Sequence, residues 1–80
     1  MNDLPPLPVE PRPGVYRHYK GNRYRVIGLA RHSETLEVMV VYQPLYGDTP
    51  GLWVRPQAMF LEKVEWNGRC VPRFAVEIAT

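Results

Sequence analysis

Two histidines, one cysteine and one serine–glutamate pair are the residues of this 80-residue chain that chemistry would most readily recruit. His18, His32 and Cys70 are dispersed, and no C-x-x-C or H-x-x-x-H spacing exists. A structural metal needs several ligands at short spacing, so no metal is expected. His32-Ser33-Glu34 places a base, a hydroxyl and an acid in a row. Consecutive residues of an extended chain point to opposite faces, and adjacency in sequence is not triad geometry. The tripeptide reads as a solvated turn. Cys70, beside Val71, reads as a small packed hydrophobe. No nucleotide-binding glycine motif is present, so no cofactor is expected.

Aromatic and cationic residues carry more information. Tyr16, Tyr19, Tyr24, Tyr42, Tyr46, Trp53, Phe60, Trp66 and Phe74 are many for so short a chain. Between Pro11 and Ser33 there is no acid, while Arg12, Arg17, Lys20, Arg23, Arg25 and Arg31 give +6; the remainder carries four cations against all eight acids, giving −4 and a net +2. Leu52 and Val54 alternate with Trp53 and Arg55. With the aliphatic pair inward, Trp53 and Arg55 share the outer face. Tyr46, beside Gly47, leads into that segment. The reading is one exposed patch of Arg17, Arg31, Tyr46, Trp53 and Arg55. Guanidinium groups stack on rings while still donating hydrogen bonds, which suits a peptide or nucleic-acid partner. The competing reading has Trp53 roofing the fold and Arg55 paired with Glu62 or Glu65.

The elements that must position these residues are short. A chain of this length buries roughly 60% of its unfolded surface, so one small domain without a large cleft is expected. No apolar run reaches the ~18 residues of a membrane helix, and the first residues lack the basic and apolar regions of a secretory signal. A single cysteine fits a reducing compartment, so a cytoplasmic location is expected, with no membrane partner.

Residues 1–12 form a proline-rich extended leader, expected to be frayed and dispensable for folding; its P-x-x-P run from Pro5 to Pro8 also has the form of a ligand for an aromatic groove. Residues 13–80 form the domain. Val15 to Tyr19 and Arg23 to Arg31 read as strands across the Lys20-Gly21-Asn22 turn, with Gly28 marking a bulge. Thr35 to Tyr42 alternates, with Leu36, Val38, Val40 and Tyr42 on one stripe, and its other stripe is only half polar, as in a central strand. A loop follows over Gln43 to Gly51, then a strand over Leu52 to Arg55. Pro56 opens a single helical turn over Gln57 to Phe60. Leu61 to Trp66 and Arg69 to Val71 flank Asn67-Gly68, a type I′ hairpin signal. Phe74 to Ile78 ends the series. The fold class is mainly β: a small SH3-like barrel of five to six short antiparallel strands with one short helical turn, with a partly open OB-like barrel as the second choice.

Several stretches resemble a known family. Pro13-Gly14-Val15-Tyr16-Arg17-His18-Tyr19-Lys20-Gly21, Ala30-Arg31-His32-Ser33-Glu34-Thr35, Leu45-Tyr46-Gly47 and Leu52-Trp53-Val54-Arg55-Pro56 are similar to a family of small bacterial proteins catalogued as domain-of-unknown-function family 1653. Met59-Phe60 and Val71-Pro72-Arg73-Phe74 also fit. The resemblance implies an SH3-like barrel, a bacterial source and no established activity, and it carries over no catalytic residue. The functional expectation is a non-catalytic binding module using the aromatic–arginine surface. The alternative is a small enzyme or enzyme-accessory domain with a His/Asp/Arg/Tyr site around His18, His32 and Asp48.

Overall fold

Short alternating segments separated by turn residues must pair with one another to satisfy their backbone groups. In the computed structural model, which describes residues 4–48 and 51–79, they do so in two antiparallel sheets. The elements are β1 (Gly14–His18), β2 (Arg23–Arg31), β3 (Val38–Pro44), β4 (Trp53–Pro56), the helical turn α1 (Gln57–Phe60), β5 (Lys63–Trp66), β6 (Arg69–Pro72) and β7 (Phe74–Ala79). The larger sheet has the order β4-β3-β2-β1-β7, and β5 and β6 form a separate hairpin. The fold is mainly β, as expected. It has seven strands among the described residues, and its five-stranded sheet does not close into a barrel.

Local signals account for most of the boundaries. Asn67 and Gly68 both take positive φ, at 53° and 75°, as a type I′ turn requires, and they join β5 to β6. The register between β2 and β3 slips between Val26 and Gly28. Ile27 stays outward, and the bulge shifts the phase so that Leu29 returns to the core side. Pro56 ends β4 and caps α1, whose four residues match the expected turn. Central β3 begins only at Val38, because Leu36 sits in a turn at φ 65°.

One face of the five-stranded sheet holds the core. Tyr16, Tyr24, Val26, Val40, Tyr42 and Phe74 lie on it, and Val40 is fully buried. The turn α1 lowers Phe60 onto this face, where its ring stacks parallel to Phe74 with centroids 4.1 Å apart. Tyr16 and Tyr42 meet the Phe60 ring edge-on at 5.7 and 5.5 Å. Edge-to-face contact suits the ring quadrupole and fills space between an open sheet and a short helix. The opposite, outer face carries Arg17, Arg23 and Glu77.

The leader is tied down at its end. Pro11 is fully buried, the Tyr16 hydroxyl donates to the Arg12 carbonyl at 2.7 Å, and the Gln57 amide donates to the Glu10 carbonyl at 2.8 Å. Residues 4–10 have no regular secondary structure, and Leu7 and Val9 are exposed. Proline density denies this segment a sheet partner, yet it does not prevent Pro11 from filling an apolar site.

Candidate functional site

The pairing of β3 with β4 decides which way the Trp53–Arg55 segment faces. Tyr42 lies opposite Trp53 and Val40 opposite Arg55. Directly opposed residues share a face, so Trp53 and Arg55 lie on the core face and not on the outer one. Leu52 and Val54 are the outward pair, 58% and 59% exposed. This reverses the expectation from alternation. A four-residue edge strand takes its phase from its neighbour, and its own aliphatic residues did not determine it.

On the core face, three of the expected residues come together. The Tyr46 and Tyr24 hydroxyls are hydrogen-bonded at 3.0 Å, and their rings cross nearly perpendicularly at 5.5 Å. The Trp53 ring lies 6.1 Å from both the Tyr24 and Tyr42 rings. Arg55 donates from Nε to the Tyr42 hydroxyl at 3.3 Å, and its guanidinium sits 5.8 Å from the Phe74 ring centre. Trp53 and Tyr46 remain about two-fifths exposed, while Tyr24 and Tyr42 beneath them are buried. Among the described residues, no carboxylate pairs with Arg55; Glu62 engages Arg73 at 2.9 Å instead. Burial, with the hydrogen bond shared with Tyr46 second, pushes the Tyr24 hydroxyl well above its ordinary range. It therefore stays a neutral donor and acceptor at this rim.

Arg17 and Arg31 lie elsewhere. Arg17 shares Glu77 with Arg23 on the outer face, with Arg17 Nε at 3.1 Å from the carboxylate. Arg31, at the far end of β2, donates to the carbonyls of Leu36 and Pro5. Two cations of the acid-free segment, Arg17 and Arg23, thus belong to an ion-paired face, and Arg31 clasps the leader.

Sequence reasoning did not place His18 and Arg73 at this site. His18 follows Tyr16 by two residues, so it also faces the core side. Its ring contacts Phe74 at 5.0 Å, Tyr19 at 4.5 Å and Tyr24 at 6.3 Å. Its Nδ1 accepts the Lys20 backbone N–H at 3.2 Å. Burial lowers its pKa first, and the positive charges of Arg73, Arg55 and Lys20 lower it further. Beside His18 lies an open, almost wholly apolar groove of about 210 Å³, lined by His18, Tyr19, Trp66, Val71, Pro72 and Ala75 together with Arg17. Tyr19 and Trp66 meet edge-on at 5.2 Å across it. The period-two spacing of Tyr16 and His18 was the one available signal for this arrangement.

The other chemical candidates do not converge. His32 Nδ1 accepts the backbone N–H groups of Glu34 and Thr35 at 3.1 and 3.2 Å, so it closes its own turn. His18 and His32 lie beyond opposite ends of the nine-residue β2, a strand roughly 26 Å long at ~3.3 Å per residue. Cys70 is exposed on the hairpin and not packed as expected. Among the described residues, no group of three or more His, Cys, Asp or Glu side chains has the geometry to hold a metal. No helix there is long and apolar enough to cross a membrane.

An open antiparallel sheet with an aromatic inner face and an arginine on its rim defines the class: a small, mainly β domain. Residues 14–76 match the model of the family described as "Protein of unknown function (DUF1653)", and the chain belongs to that family. It is similar to a crystal structure of a DUF1653 protein from Bordetella bronchiseptica, with 43% sequence identity and a TM-score of 0.81, covering 89% of this chain and 92% of that one. No curated protein matches the chain.

Proposed function

We propose that this protein is a non-catalytic binding module that docks its partner on the rim formed by Tyr46, Trp53 and Arg55. One observation carries the reading. Arg55 is held by the Tyr42 hydroxyl and the Phe74 ring, without a carboxylate partner among the described residues, on the same strand face as the half-exposed Trp53 ring. A guanidinium stacked on a ring keeps donors free, and its neighbours supply flat apolar surface at little entropic cost. The matching partner presents an anionic group next to a planar or apolar one. Arg17 and Arg31 fall outside this site, since both are engaged elsewhere.

The test uses NMR titration of the labelled protein with two probes: a single-stranded (dT)8 oligonucleotide and a proline-rich peptide carrying two glutamates. At least one probe shifts the Trp53 indole and Arg55 side-chain signals, and Arg55→Gln weakens that binding about tenfold or more while the melting temperature stays within a few degrees. If neither probe moves those signals, or Arg55→Gln binds as tightly as wild type, the rim is not a docking site.

A further inference from the structure

We propose that the groove beside Trp66 and the Arg55 rim are two halves of one docking surface for an extended, proline-containing acidic peptide of a partner protein. The inference rests on the reading of the Arg55 rim as a binding site and adds the identity of the partner. His18 is the joint. It lines the groove, and its ring packs against Phe74, over which Arg55 sits. From Trp66 the rings run through Tyr19 and His18 to the buried Tyr24, which underlies Trp53 and Tyr46, each step between 4.5 and 6.3 Å. The two ends, Trp66 on one side and Trp53 with Tyr46 on the other, are exposed.

The chemistry of the groove selects the occupant. Its lining offers almost no polar surface. A nucleobase stacked in this open groove would find ring faces but no partner that reads its edge groups, which would stay in water. A proline ring has no such groups, and a polyproline II segment keeps its carbonyls toward water while presenting rings to aromatic walls. That segment advances ~3.1 Å per residue, so three or four residues carry it from the groove past His18 to Arg55. Charge sets the flank of the peptide. Arg55, Arg73 and Lys20 all bear on His18, and Lys20 Nζ lies 5.8 Å from the Tyr19 ring centre. Glu62 is engaged by Arg73. An acidic side chain next to the prolines completes Arg55, which has no carboxylate of its own among the described residues.

The experiment is a calorimetric titration with a ten-residue proline-rich peptide carrying two glutamates, its glutamine counterpart and (dT)8, using wild type, Trp66→Ala, Ala75→Glu and Arg55→Gln. Trp66 and Ala75 reach the groove from different elements, so one failed fold does not remove the test. The acidic peptide binds wild type; Trp66→Ala and Ala75→Glu each weaken it at least tenfold. Arg55→Gln weakens the acidic peptide and leaves the glutamine peptide unchanged. If both groove variants bind as wild type while Arg55→Gln does not, the rim stands and the groove proposal falls. If (dT)8 binds with a steep salt dependence and the acidic peptide does not, the partner is a nucleic acid and the peptide proposal falls. If no probe binds, both readings fall together.

Discussion

The two faces of the five-stranded sheet use the same side-chain types for opposite ends. On the outer face, Arg17 and Arg23 converge on one carboxylate, Glu77, in water. On the inner face, Arg55 sits over Phe74 with a tyrosine hydroxyl for a partner and no acid beside it among the described residues. Outer-face pairing consumes charge locally and adds little stability. Inner-face placement leaves donor capacity available at a partly desolvated, ring-lined rim. An arginine's surroundings, and not its presence, separate a solubilising residue from a candidate site.

The largest break in that contrast comes from the inner face. Val40→Asp puts a carboxylate where Val40 is fully buried, and Phe60→Ala removes the ring that closes the sheet against Phe74. The first costs several kcal/mol and the second about 3–5 kcal/mol, comparable to the whole stability of a small domain. Both variants are expected to lose the cooperative unfolding transition in chemical denaturation. A normal midpoint for Val40→Asp would place the β3 register one residue out of phase.

The leader supplies an intermediate effect. Deleting residues 1–9 leaves Pro11 in its site, whereas deleting residues 1–12 removes it together with the carbonyl that accepts the Tyr16 hydroxyl. Lost apolar burial and a lost hydrogen bond together cost about 2 kcal/mol, or roughly 8–16 °C in melting temperature for a domain of this size. Calorimetry of the two truncations should show a small change for the first and a clear fall for the second.

A smaller effect is tied to pH. The folded-state pKa of His18 lies below its ordinary value, because burial and then Arg73, Arg55 and Lys20 disfavour the imidazolium. The unfolded chain therefore binds the proton more readily. The contribution is fully present above about pH 6.5, the unfolded value, and is lost as pH falls through the lower folded value. Thermal unfolding between about pH 7 and 5 should show a declining midpoint that is flatter in His18→Gln. An equal slope in both proteins would assign the loss to other groups.

The least effect belongs to the outer face. The Arg23 hydrogen bond, ahead of the Arg17 charge, holds the Glu77 carboxyl below its usual range, yet all three groups face water. Glu77→Gln is expected to leave the melting temperature nearly unchanged and to remove only the part of its salt dependence below about 0.2 M. A fall as large as that of the longer truncation would mean the two faces are more alike than their surroundings imply.

Much of this was written in local residue chemistry. Asn67-Gly68 dictates a turn because few residues tolerate positive φ twice in succession. Gly28 marks the bulge, Pro56 starts the helical turn, and the alternation of Val40 and Tyr42 selects the core face of a central strand. Each of these depends on neighbours a few residues away. Three other features were decided by distant partners. The face of Trp53 and Arg55 came from pairing with Tyr42 and Val40, against the pull of Leu52 and Val54. Arg17 and Arg31 were separated because β2 is long enough to hold their surroundings at opposite ends. Tyr19 met Trp66 only because the hairpin, anchored by Glu62 and Arg73, folds its tip beside the end of β1. Backbone conformational preference acts within a turn's length and is legible in the residues themselves. Strand phase and the meeting of side chains across sheets are set by whichever pairing buries the most apolar surface, and that is a property of the whole fold.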